Sequence, residues 1–199
     1  MPNDLSKENF LPPIVLASAS PRRAEILRSV GWPFQVIVPD IDESPDPNEM
    51  AAEYVKRLAV GKALAVRDRV DALPVLAADT TVVLGDSIIG KPADFAEAKR
   101  MIGLLSGRWH EVLTGVAIAT ADKVMADVQR TRVRFANLSE REIEFLSRAG
   151  NPLDKAGAYA VQGAAALFIE AIEGDYWNVV GLPISLVYSL YFRNLGTKK

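Results

Sequence analysis

Short apolar runs and longer stripes at helical spacing alternate along the chain. Ile14-Val15-Leu16-Ala17 is a compact apolar run ending in Ser18-Ala19-Ser20-Pro21, the pattern of a buried strand that turns into a helix. Pro21 suits the first helical position and Ser20 the cap before it. Ile26, Leu27 and Val30 supply the stripe, and Gly31 stops the helix. Phe34 to Val38 reads as a second strand, broken at Pro39 by an acidic stretch from Asp40 to Pro47. A long helix is predicted from about Asn48 to Arg67, with Met50, Tyr54, Val55, Leu58 and Ala65 on one face.

Pro74 to Leu84 is the most strand-like run, turned by Gly85-Asp86 into Ser87-Ile88-Ile89-Gly90 as a hairpin. Asp94 and Glu97 have the spacing of a capping pair for a helix through Leu105. Val112 to Thr120 and Lys123 to Phe135 read as paired strands. Ser139 with Glu142 is a capping box for a helix ended by Gly150. The Gly- and Ala-rich last third holds a strand near residues 166–172 and a final helix from Pro183, with a stripe of Ile184, Val187, Leu190 and Tyr191. Intermingled strands and helices with a hairpin imply an α/β fold with a mixed sheet. Residues 1–13 form an N-terminal extension and residues 14–195 a single domain.

The 199 residues are 49% apolar and 24% charged, the balance of a globular protein, which excludes a disordered, fibrous or coiled-coil chain. The absence of cysteine excludes a disulfide scaffold, a zinc ribbon and a thiol nucleophile. With 23 basic and 25 acidic residues, stable nucleic-acid binding is not expected. Gln162, Gly163 and Glu170 break the longest candidate for a membrane span. Asp4, Lys7 and Glu8 leave no apolar core for a signal peptide, so a soluble, cytoplasmic protein without membrane association is expected.

Four places look chemical. Ser18-Ala19-Ser20-Pro21-Arg22-Arg23 sets two hydroxyls and two guanidiniums at a helix N-terminus, where free backbone N–H groups and the helix dipole favour anions. Cations there oppose the dipole, so Arg22 and Arg23 point to binding of an anion such as phosphate, the alternative being a solvated helix start capped by Ser20. Asp79 shares its strand face with Val75, Ala77, Thr81 and Val83. A carboxylate there needs a partner, either as a strand-end acceptor or as a general base or metal ligand facing a cleft. Lys91 follows the hairpin, but its register with Thr80 puts it on the face opposite Asp79 unless the ladder bulges or ends. Lys62 sits four residues after Leu58 on the apolar face of the long helix, either snorkelling to solvent or reaching into a phosphate site.

The remaining candidates are weaker. His110, the single histidine, lies beside a turn and reads as a positioned polar residue rather than a base. Asp42, Glu43 and Asp79 are candidate oxygen ligands for a hard cation. Arg130, Arg132 and Arg134 alternate on one strand face, as on a solvated surface.

Taken together, these segments resemble the Maf family of nucleoside triphosphate pyrophosphatases. The resemblance rests on Leu16-Ala17-Ser18-Ala19-Ser20-Pro21-Arg22-Arg23, Ala78-Asp79-Thr80, Gly90-Lys91-Pro92, and Leu105-Ser106-Gly107-Arg108 with His110 and Thr114-Gly115. Asp154-Lys155-Ala156-Gly157-Ala158-Tyr159 with Gln162-Gly163, and Gly174-Asp175-Tyr176 through Pro183, complete it in family order. Trp177 stands where the resemblance implies a tyrosine or similar residue, a mild departure beside the site. The resemblance implies an elongated mixed β-sheet with flanking helices and two lobes around a cleft, similar to inosine-triphosphate pyrophosphatases. It implies cleavage between the α- and β-phosphates with a divalent cation, Mg2+ foremost and Mn2+ or Co2+ as alternatives. Asp79, Lys62 and Lys91 map to its catalytic positions, Ser18, Arg22, Arg23, Thr80 and Gln162 to substrate positions, and Glu43 with Asp79 to the metal. Arg22, Thr80 and Gln162 resemble the dTTP/UTP branch, with CTP and modified pyrimidine nucleotides as further substrates. The 7-methyl-GTP branch, which typically has a tryptophan at the first arginine, and a non-catalytic nucleotide sensor regulating cell division stand as alternatives. A homodimer is the implied assembly.

Overall fold

The computed structural model describes residues 10–70 and 72–194, so most of the N-terminal extension and the end of the expected domain at residue 195 lie outside the described residues. Strand β1 (Ile14–Ala17), buried at every position, leads into α1 (Pro21–Ser29), and β2 (Phe34–Val36) returns parallel beside β1. Helix α2 (Ala51–Arg67) then crosses to β3 (Val75–Leu84), again parallel to β1. β3 turns through Gly85-Asp86 into β4 (Ser87–Ile89) in the expected register, with Leu84 opposite Ser87. After α3 (Phe95–Leu105), the long strands β5 (Trp109–Ala119) and β6 (Val124–Phe135) extend the sheet antiparallel. α4 (Glu140–Leu146), three 3-10 turns between residues 152 and 167, β7 (Ile169–Glu173), α5 (Tyr176–Val180) and α6 (Ile184–Asn194) complete the chain. Seven described strands form one mixed sheet in the order β2-β1-β3-β5-β6-β7, with β4 on the edge of β3.

Strand alternation divides the core. Val75, Ala77 and Val83 of β3 face α2, whose Val55, Ala59, Ala63 and Val66 pack on them. The other face carries two clusters. Leu76 and Ala78 join α1, Leu182 and Val187 in one, while Val82 joins α3, Phe135 and Tyr159 in the other. These clusters are the cores of two lobes, and the cleft opens where they part.

Several local expectations shift. α1 ends at Ser29, leaving Val30 40% exposed, and Ala24 joins Ile26 and Leu27 in the buried stripe. Ser20 occupies the N-cap but makes no side-chain cap bond; its amide donates to Ser18 Oγ at 3.1 Å. α2 starts at Ala51 because Asn48 is left-handed (φ 61) and belongs to the turn before it. Met50 is exposed, and the buried face runs through Val55, Leu58, Ala59, Lys62, Ala63 and Val66. The strand expected near 166–172 begins at Ile169, since alanine-rich Ala164–Leu167 winds into a 3-10 turn without β-branched side chains to favour extension. Helix α5 was not anticipated. Asp175 caps it by accepting from the Trp177 and Asn178 amides. The capping pairs at Asp94/Glu97 and Ser139/Glu142 form as their spacing predicts.

Candidate active site

The register of β3 creates the site. β1 pairs with it only as far as Ala77, and β4 begins its pairing at Val82. Ala78 to Thr81 therefore have β5 on one side and an open edge on the other. A cleft of about 460 Å³ occupies that gap and reaches both faces of the sheet, with Asp79 and Thr80 in its wall. Its volume lies in the range of small-molecule sites.

On the α2 side, Asp79 is 8% exposed and receives a 2.6 Å hydrogen bond from Lys62 Nζ at Oδ1. The same ammonium lies 2.7 Å from Glu43 Oε1, carried in from the acidic loop. Lys62 is thus buried on an apolar helix face because two carboxylates meet it there, so it does not snorkel to solvent. Burial alone pushes the Glu43 carboxyl up. The Lys62 hydrogen bond and charge, with Lys91 and Arg23 beyond, outweigh it and hold the group below its ordinary value. α2 comes this close because Gly115, opposite Asp79 on β5, has no side chain: a Cβ there would lie 2.2 Å from the Val55 carbonyl oxygen.

On the other face, Arg23 is committed to the protein. Its Nε donates to the Gly181 carbonyl (2.9 Å), Nη1 to Ser18 Oγ (3.1 Å) and Nη2 to Thr80 Oγ1 (3.2 Å). Burial lowers its hold on its proton, and the Asp79 charge acts the other way. Thr80 in turn shares a 2.9 Å bond with buried Thr114, which donates to the Asn178 carbonyl. A polar belt therefore crosses the sheet beneath the cleft, anchored by α5, whose Asn178 Nδ2 reaches the Val112 carbonyl and Thr131. Arg22 lies at the mouth, 3.8 Å from Asp154 of the facing lobe, and Gln162 lines the same wall.

Lys91 lines the cleft too, because the β4 ladder ends at Ile89 and frees the chain from the alternation that would have turned it away. The Gly157 amide donates to the Gly90 carbonyl at 3.0 Å and pins that exit, at a left-handed residue (φ 68) whose Cβ would press on Val82. All nine chemically expected side chains, Ser18, Arg22, Arg23, Glu43, Lys62, Asp79, Thr80, Lys91 and Gln162, line one cleft. Asp42 does not. Its Oδ1 accepts from the Ser44 amide at 2.8 Å, so it shapes the acidic loop instead of facing the site. The arginines at 130, 132 and 134 pair with Glu111, Glu173 and Glu170 on a solvated face.

The carboxylates fit a hard divalent cation. Asp79 and Glu43 both meet Lys62 through one oxygen, leaving Asp79 Oδ2 and Glu43 Oε2 outside that contact. Among the described residues no three acidic or histidine groups converge, so a cation there would draw its other ligands from phosphate and water, the usual habit of Mg2+. Sequence reading missed Tyr54 and Arg57 as site residues. Tyr54 donates to the Glu43 carbonyl at 3.0 Å, and Arg57 holds the acidic loop. Their spacing of three on a helix that follows an acidic run was the available signal.

Residues 13–193 match the family described as Maf-like protein. A relative from Symbiobacterium thermophilum named dTTP/UTP pyrophosphatase is 53% identical, covering 86% of this chain and 88% of that protein. Relatives of the same name from Hahella chejuensis (51% identical, 86% and 87% covered) and Bacillus thuringiensis (47%, 86% and 90%) are similarly close. The solved structure of the Staphylococcus aureus Ham1 protein aligns at 14% identity and a TM-score of 0.47 over 63% of this chain and 73% of that one, a likeness too slight to carry argument. No helix among the described residues is long and apolar enough to cross a membrane.

Proposed function

The chain belongs to the Maf family, and on that premise we propose that it hydrolyses dTTP and UTP to the nucleoside monophosphate and pyrophosphate. The observation that carries this reading is the buried Lys62 ammonium joining Asp79 and Glu43 in a gap of the sheet, beside an arginine-bearing helix N-terminus. Binding triphosphate needs cations. A carboxylate set among them is a liability for binding alone and an asset for moving a proton.

In the proposed reaction the Ser18–Arg23 turn and the α1 N-terminus receive the triphosphate, with Arg23 holding the turn in shape through Ser18, Thr80 and Gly181. Asp79 Oδ1 is fixed by Lys62, so its second oxygen is oriented to take a proton from a water attacking the α-phosphorus. As the α–β phosphoanhydride bond breaks, electrons pass to the bridging oxygen of the departing pyrophosphate, and Lys62 and Lys91 offset the growing charge. A divalent cation, Mg2+ before Mn2+ or Co2+, held by Glu43 and Asp79 would add charge neutralisation and orient the phosphates. Arg22, Thr80 and Gln162 are assigned to substrate selection. The homodimer and the cytoplasmic setting belong to the same proposal.

The test is pyrophosphate release from dTTP, UTP, CTP, 7-methyl-GTP and ITP with Mg2+. Turnover of dTTP and UTP well above 7-methyl-GTP and ITP is the expected result. Preference for 7-methyl-GTP would overturn the branch, and tight nucleotide binding without turnover would point to a sensor.

A further inference from the structure

The loop that delivers Glu43 has little structure of its own. Residues 40–50 form no helix or strand, and their side chains are mostly exposed. Even so, Glu43 reaches Lys62 within 2.7 Å, so something outside the loop must hold it. That group is Arg57, five residues N-terminal to Lys62 on α2. Its Nε and Nη2 grip the two Glu49 oxygens at 2.6 and 2.7 Å, and Nη2 also donates to the Ser44 carbonyl at 3.0 Å. Glu49 is only 8% exposed at its side chain, which is rare for a carboxylate unless paired. Its second oxygen also accepts from the Asp46 amide at 3.1 Å. The turn they close includes the left-handed Asn48. Tyr54, one helical turn before Arg57, adds a bond from its hydroxyl to the Glu43 carbonyl and lies beneath the guanidinium, 5.7 Å from ring centroid to Cζ.

We propose that Arg57 is a positioning residue for the reaction: its guanidinium, clamped by Glu49, fixes the Ser44 carbonyl and thereby holds the Glu43 carboxylate on Lys62 beside Asp79. Arg57 does not itself line the cleft; it stacks on Tyr54, which does, and acts through the backbone next to Glu43. A lysine cannot replace it, since a single ammonium lacks the planar fork that serves Glu49 and Ser44 together. The inference rests on the pyrophosphatase reading for its rate measurements, and a second readout is independent of it.

The experiment is a double-mutant cycle on the full chain with Arg57→Ala and Glu43→Gln, reading kcat and KM for dTTP. Arg57→Ala lowers kcat at least about tenfold in the wild-type background, with KM changed less than about threefold, and adds less than about twofold in the Glu43→Gln background. A loss of the same size in both backgrounds would overturn the proposal, because a residue supporting only the fold weakens both alike. Where Arg57→Ala fails to fold, Glu49→Gln enters the same cycle, since it breaks the clamp from its other side. The second readout is cleavage of the folded proteins after Glu43 and Glu49 by a glutamate-specific protease. Arg57→Ala is cut at least about fivefold faster than wild type, as expected for a loop that opens locally. Equal cleavage rates would overturn the proposal even if the wild type turned over no nucleotide, the outcome that would sink the pyrophosphatase reading.

Discussion

The buried charged side chains around the cleft are placed where other polar groups meet them, and the energetic asymmetry of burial explains their pattern. Removing one partner of a buried ion pair leaves an uncompensated charge and costs about 3–5 kcal/mol. Lys62, Asp79 and Glu43 thus depend on one another, as do Arg23, Ser18 and Thr80. His110 is a different case. It is buried, stacks on Phe135 at 5.6 Å and shares a 2.7 Å bond with the Tyr159 hydroxyl under the cleft wall. Burial, only partly opposed by the Arg108 carbonyl, pushes its pKa down from 6.5 to about 4. The neutral imidazole is a packing element, consistent with a positioned residue rather than a base.

That shift has a stability consequence. Between pH 6.5 and about 4 the unfolded chain binds the imidazole proton and the folded chain does not. Stability from this site is therefore complete above pH 6.5 and falls as the pH drops through the window, by on the order of 3 kcal/mol. The depressed Glu43 carboxyl adds a loss only below its ordinary value of 4.5. Urea unfolding across pH 4 to 7 should show the slope in wild type and a flatter curve in His110→Gln, which keeps a polar partner for Tyr159 without a titrating ring. Parallel curves would remove His110 as the cause.

At the scale of elements, the decisive contact is that between α2 and the paired strands β3 and β5. Gly115 lets the helix backbone lie against the sheet, with Val55 O and Lys56 N where a side chain would stand. Both atoms are backbone, so Gly115→Ala must move the whole helix. Overpacking of this kind costs about 1–3 kcal/mol, and the shift also carries Lys62 away from Asp79. We expect a lower urea midpoint together with a fall in kcat; unchanged stability would mean the helix yields without strain.

The elements that sequence alone revealed are those with local chemistry. The β3–β4 hairpin has its Gly-Asp turn, α3 and α4 have their capping pairs, and α6 has its stripe. Ala164–Leu167 and α5 leave no periodic signal in the sequence, being alanine-rich and five residues long respectively, and what fixes α5 is distant: Thr131 and Val112 through Asn178. Glu43, Asp79 and Lys91 carried chemical promise in the sequence. Their meeting depends on where β1 stops and β4 begins, which no spacing shows. Arg57 went unremarked for the same reason, since its partners are fixed by a loop without regular structure.

At the scale of the molecule, one mixed sheet carries two cores on one face, and the side chains proposed to react gather where those cores part. Arg22 from one lobe and Asp154 from the other approach across the mouth, so a nucleotide seated there touches both lobes and the sheet between them. Everything proposed for this cleft converges on Asp79, the carboxylate in the open stretch of β3 that Lys62 holds. The most direct test is therefore dTTP and UTP turnover by wild type and Asp79→Asn side by side, with thermal unfolding of both proteins. With Asp79 as the proton acceptor, the variant folds and loses at least about 10²-fold in kcat, the usual weight of such a group. Near-normal turnover by a folded Asp79→Asn protein would contradict it.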